Sequence, residues 1–444
     1  MVQAFADNTF YRFEGVSEVL RIESMLGAGS QGQVYKAYLG EDSYALKWYF
    51  PGYIKRDRDL HERLTRAVSI GAPNKKFIWP SAIVRARDGK VADTISEVGF
   101  GYLMPLRPKG FVSATEHYGG LVETTIQNIL IACKGLCSAY HALHTRGFCY
   151  KDLSLGNIFL NPANGGLLVC DNDNADVNGR KSGSVLGTPG FIAPEILTQR
   201  VSPNFETDLF SLANVIFRLM MRHDPYCGKQ ELSIPVMDSA ARMQLYSKNA
   251  VFIFDPENST NRPDQVVHAG ANLMWTIYTD EIRRLFIRSL GKGLSSPAER
   301  VLTGEWIDGL SELLNRRCLC KGCDSEVFME ESKNARTCWN CGERVTADKY
   351  LDVGGSKVII SPGTSITESH FRKYSYGEDD LEIAKVIRKD DDTRIIGLRN
   401  CSAHDWRAVL MSGKTVMVSG GQTCSLSALS EMHTHVGLIR VYTV

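Results

Sequence analysis

Short apolar–polar alternations open the chain. Residues 20–25, 33–38 and 44–49 are rich in Val, Tyr and alternating apolar positions, with turn residues between them, and so predict strands. In the charged stretch 55–69, Leu60, Leu64 and Val68 recur every four residues, one apolar stripe of an exposed helix. From about residue 120 the period changes. Ile126, Ile129, Leu130, Cys133, Leu136, Cys137, Tyr140 and Leu143 follow the spacing of a long amphipathic helix. Residues 209–221 are apolar nearly all round, which predicts a helix buried in a sizeable domain. Helical patterns return at 279–290 and 305–314. A Cys-rich stretch follows from Arg316 to Arg344. Strand-like runs then resume at 357–360, 381–388, 393–398, 406–410, 415–418 and 436–441, and predict a small β-sandwich.

Composition narrows this picture. At roughly 100–200 residues per domain, 444 residues make two to four domains. Hydrophobic residues at 43% and charged residues at 23% exclude a disordered or collagen-like chain. Fifty-one basic side chains against 50 acidic ones argue against a nucleic-acid coat or a membrane-surface protein, so neither partner is expected. No run reaches the roughly 18 apolar residues of a membrane helix, and the first thirteen residues lack the apolar core of a signal peptide. A cytoplasmic protein is expected. The twelve cysteines agree, since five of them cluster at 318–341 and the rest are scattered, unlike a secreted disulfide framework.

The chemistry-bearing residues fall on these elements. Gly27-Ala28-Gly29-Ser30-Gln31-Gly32-Gln33-Val34 follows the first of these strands. Its glycines let backbone approach phosphates closely. A Gly-rich hairpin turn is the blander reading. A second strand follows it, whereas a dinucleotide-binding loop would lead into a helix. Thirteen residues after Val34, Ala45-Leu46-Lys47 puts an ammonium in an apolar strand, which is costly unless anions such as phosphates face it. A lone strand lysine is otherwise simply exposed. In Tyr150-Lys151-Asp152-Leu153-Ser154-Leu155-Gly156-Asn157, an Asp and an Asn five apart can set a base and a metal-binding carbonyl around one centre. Leu167-Leu168-Val169-Cys170-Asp171 then delivers a carboxylate at a strand end, with Asp173 close behind. An Asx-turn pair is the alternative there.

In this order and spacing the motifs resemble those of the eukaryotic-like Ser/Thr protein kinases, in the form seen in bacterial members, over roughly residues 20–315. The resemblance implies an α+β, bilobal protein kinase fold. It also implies transfer of the ATP γ-phosphate to a protein hydroxyl, the chain's own included. On it, Gly27, Gly29 and Gly32 cover the phosphates, and Val34 and Ala45 help hold the nucleotide. Lys47 pairs the α- and β-phosphates, and Glu62 is its helix partner. Met104, Pro105 and Arg107 belong to a hinge that offers backbone groups to adenine. Asp152 accepts the substrate hydroxyl's proton, and Asn157 and Asp171 hold Mg²⁺ or Mn²⁺. Asp173 is an alternative ligand; Asp171 is preferred because it directly follows the apolar run. Residues 187–195, Gly-Thr-Pro-Gly-Phe-Ile-Ala-Pro-Glu, resemble the family's substrate-side segment and favour Ser/Thr over Tyr acceptors. Arg300 is placed to pair with Glu195, and Asp208 matches the residue that opens the buried anchoring helix. Ser182, Ser184 and Thr188 are phosphorylation candidates, with Lys151, Arg180 and Lys181 near enough in sequence to receive a phosphate. Thr188 is also expected against the catalytic loop.

The departures from the family pattern matter. His-Arg-Asp has become Tyr150-Lys151-Asp152, and Asp-Phe-Gly has become Asp171-Asn172-Asp173. The lysine two residues after the catalytic aspartate is Ser154, which removes a positive charge near the γ-phosphate. None of Lys47, Asp152, Asn157 or Asp171 is lost.

Cys320-Lys321-Gly322-Cys323 and Cys338-Trp339-Asn340-Cys341 form two C-x-x-C knuckles separated by 14 residues. Four thiolates in this spacing suit tetrahedral Zn²⁺, and the segment resembles a zinc ribbon. It is too short for an apolar core of its own, so zinc is expected to fold it. Cys318 is spare. Residues 395–402 with Trp406 resemble the strand pattern of forkhead-associated phosphothreonine-binding domains, without their Gly-Arg pair or Ser-x-x-His.

The expected organisation is an N-terminal extension (1–19), a kinase N-lobe (20–106), a C-lobe (107–316), a zinc ribbon (317–346) and a small all-β, sandwich-like module (350–444). Two functions compete. One is an active Ser/Thr kinase using ATP, Mg²⁺ or Mn²⁺ and structural Zn²⁺. The other is a nucleotide-binding pseudokinase scaffold whose ribbon and β-module bind a partner protein. Ser154 and the altered Asp171-Asn172-Asp173 favour the second, and the four intact polar residues favour the first. Bacterial kinases of this look sit beside a metal-dependent phosphatase and a von Willebrand A-type protein. The resemblance therefore implies these as partners, together with a protein substrate.

Overall fold

The computed structural model describes residues 3–86, 99–180, 187–188, 190–198, 201–372, 376–389 and 395–443. Ser182, Ser184 and Lys181 lie outside the described residues.

The alternating runs at the start become a seven-stranded antiparallel sheet. Its order is Thr9–Tyr11, Leu20–Ala28, Gly32–Leu39, Asp42–Tyr49, Phe100–Pro105, Ala82–Ala86, Phe13–Glu14. The segment set apart from sequence as an extension is therefore part of this sheet. Residues 9–14 pair with the edge strand on one side and with the opposite edge on the other. Each outer strand is thereby covered in part, over Leu20–Ile22 on one side and at Arg85 and Ala86 on the other. Ahead of them, Phe5 is buried edge-on against Tyr35 and Trp48. The Ala4 amide donates to Gln33 Oε1 and the Tyr35 hydroxyl at 2.8 Å each. Two- and three-residue strands are too short to display a period, so the pattern did not reveal them.

The single helix expected over 55–69 is two, Pro51–Arg56 and Leu60–Ile70. The break falls at Asp57, whose buried carboxylate takes a bidentate pair from Arg63 at 2.9 and 2.6 Å. The long helix Ile126–Thr145 and the buried helix Phe205–Met221 form the heart of the second lobe. Asn204 caps the latter through the Thr207 amide. Helices Asp280–Phe286 and Thr303–Asn315 close the same core.

Two hairpins follow, Arg317–Leu319 with Glu326–Phe328 and Ala335–Thr337 with Arg344–Thr346. The remainder is a two-sheet sandwich around one core that includes Leu351, Val386, Leu398, Trp406 and Ile439. Six strands make one sheet and four the other. Both parts dock on the helical lobe. Glu326 accepts from the Ile126 and Gln127 amides at 2.5 and 3.0 Å while pairing with Arg317 at 2.5 Å. It is thus an anion at a helix N-terminus, where free amides and the dipole favour it. From the sandwich, Asp379 meets Lys76 at 2.9 Å and Asp380 meets Lys134 at 2.8 Å.

Candidate active site

Between the first two long strands, the Gly29 amide donates to the Gly32 carbonyl at 2.9 Å and closes the turn. A side chain at Gly32 would stand 2.1 Å from the Trp48 carbonyl oxygen, so the backbones there approach too closely for one. Positions 27 and 29 instead face open space, with no atom within 4 Å of a built Cβ. Val34 pairs across the sheet with Lys47, and Ala45 with Met104. The expected nucleotide-facing residues of three strands therefore share one face of the sheet, and the chain continues past Pro105 toward Arg107.

Lys47 is buried and its ammonium carries three acceptors. They are Asp171 Oδ1, Asp173 Oδ2 at 2.8 Å and Gln31 Oε1 at 2.7 Å. An ammonium has three N–H groups, so its donors are fully used. Burial works against the charge on Lys47, but the two carboxylates outweigh it and raise its pKa above the usual lysine value. Burial likewise raises the Asp171 carboxyl to about 6, with Lys47 opposing and Asp173 adding to the rise. Asp173 is shifted the other way. Burial would raise it, but Lys47 and the hydrogen bonds around it hold it low.

Glu62 is not part of this cluster. Its carboxylate is 59% exposed and pairs with Arg66 at 2.7 Å and Arg180 at 3.2 Å. The next residue, Arg63, occupies the inward face of the helix. Its Nε donates to the Asp173 carbonyl at 3.3 Å, and its guanidinium holds Asp57. The expectation of Glu62 as the partner of Lys47 is corrected accordingly: one helical position, about 100° of rotation, puts it on the solvent side. The residues that sequence reading passed over here are Gln31, Tyr49, Asp57 and Arg63, and it took Asp173 only as a rival metal ligand. Tyr49 had a signal, since it lies two residues from Lys47 on one strand and so shares its face.

The catalytic-loop candidates converge. Asp152 Oδ1 accepts from the Thr188 hydroxyl at 2.8 Å, and Asn157 donates its amide N–H to the Asp152 carbonyl at 2.8 Å. Burial raises the Asp152 carboxyl above its ordinary value, and the Thr188 bond opposes the rise. Asp208, buried at the start of its helix, holds the loop through the Tyr150 amide at 2.7 Å and meets His144 of the Ile126–Thr145 helix at 3.0 Å. Lys151 meets Asp176 at 2.9 Å, and Arg66 meets the same carboxylate at 2.9 Å. The loop, the helix and the segment after Asp171 thus share one buried anion. Below, Arg300 takes Glu195 bidentately at 2.6 and 2.9 Å, as the family resemblance implied.

Asp171 sits in the left-handed region at φ 59°. Asn172, in place of the family's Phe, is buried and donates to the Ile78 and Val169 carbonyls at 2.6 and 3.0 Å. Two hydrogen bonds thus hold the position that an aromatic ring would hold by packing. The oxygens left over suit a hard divalent cation: the Asn157 amide oxygen and the Asp171 oxygen that Lys47 does not take. Asp173 Oδ1 is buried without a partner among the described residues.

A family model described as the protein kinase domain matches residues 20–293. The chain belongs to the protein kinase family. It is 36% identical over 87 residues to a probable serine/threonine-protein kinase CCRP1 of Zea mays, covering 19% of this chain and 14% of that one. It is 26% identical over 220 residues to a probable cell cycle serine/threonine-protein kinase CDC5 homolog of Encephalitozoon cuniculi, covering 47% of this chain and 43% of that one. The chain spans less than half the length of either curated relative. Its fold also aligns with the PknI kinase domain of Mycobacterium tuberculosis at 17% identity and a TM-score of 0.45, over 70% of this chain and 99% of that one. No helix among the described residues of this kinase is long and apolar enough to cross a membrane.

Outside the kinase domain, the Sγ atoms of Cys320, Cys323, Cys338 and Cys341 lie within 4.8 Å of one another. The 320–341 and 323–338 pairs stand at 3.5 and 3.6 Å. Thiolates about 2.3 Å from a central zinc would be about 3.8 Å apart, so the four cysteines fit a closed tetrahedral site.

Proposed function

We propose that the chain is a Ser/Thr protein kinase that transfers the ATP γ-phosphate to a protein hydroxyl in cytoplasmic signalling. The observation that carries this reading is the buried Lys47 ammonium, held by carboxylates beneath two glycines that face open space. Phosphoryl transfer asks the protein mainly to position its reactants and neutralise charge. Lys47 binds and orients the phosphates, the Gly27–Gly32 turn covers them, and Val34, Ala45 and the Met104–Arg107 strand end hold the base. Asp152 accepts the hydroxyl's proton; its hydrogen bond with Thr188 is one that an incoming Ser or Thr can imitate. Asn157 and Asp171 hold Mg²⁺ or Mn²⁺, which when bound offsets phosphate charge. Thr188 is a poor acceptor of phosphate on this reading, since its hydroxyl is engaged. Ser182 and Ser184 stay as modification candidates from sequence. A phosphatase and a von Willebrand A-type protein are partners on the ground of family resemblance alone.

The test is transfer from γ-labelled ATP with Mg²⁺ or Mn²⁺, wild type beside Asp152→Asn and Lys47→Ala. Each variant is expected to lose about 10²–10³ in rate. Retained ATP binding with no transfer by the wild type would move the chain to the scaffold reading.

We also propose that Cys320, Cys323, Cys338 and Cys341 hold one structural Zn²⁺. Metal analysis of the purified chain should find one zinc per chain, and Cys320→Ser should lose it. Because Glu326 lies between the two knuckles and caps the Ile126–Thr145 helix, losing the metal should also lower the thermal midpoint of the kinase domain. An unchanged midpoint in a zinc-free variant would sink the structural role.

A further inference from the structure

We propose that Asp173 is the positioning residue that sets Lys47 for the phosphates, in place of a carboxylate on the Leu60–Ile70 helix; this deepens the kinase reading and rests on it. Three observations carry it. Asp173 has a fully buried side chain with Oδ2 2.8 Å from Lys47 Nζ, and the Tyr49 hydroxyl donates to the same oxygen. Lys47 and Tyr49 project from one face of one strand, so the strand that carries the lysine also fixes its counter-ion. From the other side Arg63 holds the Asp173 backbone, and Asp57 holds Arg63. Asp173 is therefore held from both sides, its carboxylate by the strand and its backbone by the helix.

Glu62 cannot take over without dismantling this arrangement. Bringing it inward needs about 100° of helix rotation, which would carry Arg63 away from Asp57 and from the Asp173 carbonyl. The two aspartates on Lys47 also differ. Asp171 is 30% exposed, whereas Asp173 is wholly enclosed. With two N–H groups tied to these carboxylates, the third is the one Gln31 holds from the glycine turn. That bond is the one a phosphate oxygen would replace. The place of Lys47 then follows from the strand and the 171–173 segment, and not from the position of the helix carboxylate.

The experiment compares Asp173→Asn, Lys47→Ala and their double variant with Tyr49→Phe and Glu62→Gln, reading kcat, Mg²⁺·ADP affinity and the apparent Mg²⁺ constant. Because Asp173 acts through Lys47, Asp173→Asn should cut kcat by roughly tenfold or more and add nothing on the Lys47→Ala background. Tyr49→Phe should give a smaller fall of the same kind, which keeps the test open if Asp173→Asn does not fold. Glu62→Gln should stay within about twofold of wild type. Additive losses would overturn the proposal, because a merely structural residue would weaken the Lys47→Ala protein further. A fall for Glu62→Gln with Asp173→Asn unaffected or faster would overturn it too, making Asp173 a resting-state latch. A shift in the Mg²⁺ constant by Asp173→Asn matching that of Asp171→Asn would make Asp173 a metal ligand and overturn it as well. A wild type that transfers no phosphate would fail the kinase reading alone. Mg²⁺·ADP affinity would still show whether the two losses coincide, as proposed, or add.

Discussion

Glu195–Arg300 in the lower lobe and the Lys47 cluster in the upper lobe are both buried ion pairs, and they are built on opposite plans. In the lower lobe one guanidinium meets one carboxylate in a two-pronged geometry, and Arg300 spends its remaining donors on the Gly293 and Glu206 carbonyls. All three guanidinium nitrogens have fixed acceptors, and four of the five N–H groups are used, so the pair acts as a rivet. In the upper lobe one ammonium is shared among two carboxylates and an amide, and one carboxylate oxygen has no partner among the described residues. That arrangement can exchange an acceptor. The contrast separates a joint whose partners are fixed from a joint that can trade one partner for another.

The largest expected effect breaks the rivet. Arg300→Ala leaves Glu195 without its buried counter-ion and strips two backbone carbonyls as well. Such a break typically costs about 3–5 kcal/mol. Urea unfolding should show a loss in this range, and a loss under about 1 kcal/mol would mean that water replaces the arginine.

The second sharpens the upper lobe. Arg63→Leu leaves Asp57 buried and unpaired, and is expected to cost about 3 kcal/mol by the same reasoning. Adding Asp57→Asn should recover much of it, because replacing both partners removes the stranded charge. If it does not, Arg63 matters more through the Asp173 carbonyl than through Asp57.

These two joints also explain what was legible in the sequence. Glu195 announces itself through the Ala-Pro-Glu run, and Arg300 follows from the family resemblance that this run carries. The catalytic loop and the four clustered cysteines were equally plain, because the chemistry demands fixed residue types at short range. Glu62 against Arg63 was not legible. Both are polar, they are adjacent, and the choice between them depends on Asp57 terminating the preceding helix and turning its carboxylate inward. In the sandwich, Leu429–His433 was missed because a register shift opposite Leu410 breaks the two-residue period. Thr423–Ser425 is too short to have one.

The smallest effect is the most direct test of the comparison. Glu62 is exposed, and its partners Arg66 and Arg180 lie at the surface, so solvent screens these pairs and side-chain entropy opposes them. Glu62→Gln should therefore leave the thermal midpoint within the scatter of the measurement. Salt offers the same test on the wild type. The Debye length falls from about 8 Å at 0.15 M to about 3 Å at 1 M, which weakens exposed pairs while buried ones persist. If any small difference between wild type and Glu62→Gln at 0.15 M salt vanishes at 1 M, Glu62 is a surface charge and nothing more. If Glu62→Gln instead lowers the midpoint markedly at both salt concentrations, the helix is anchored through its outer face, and the upper lobe is riveted after all.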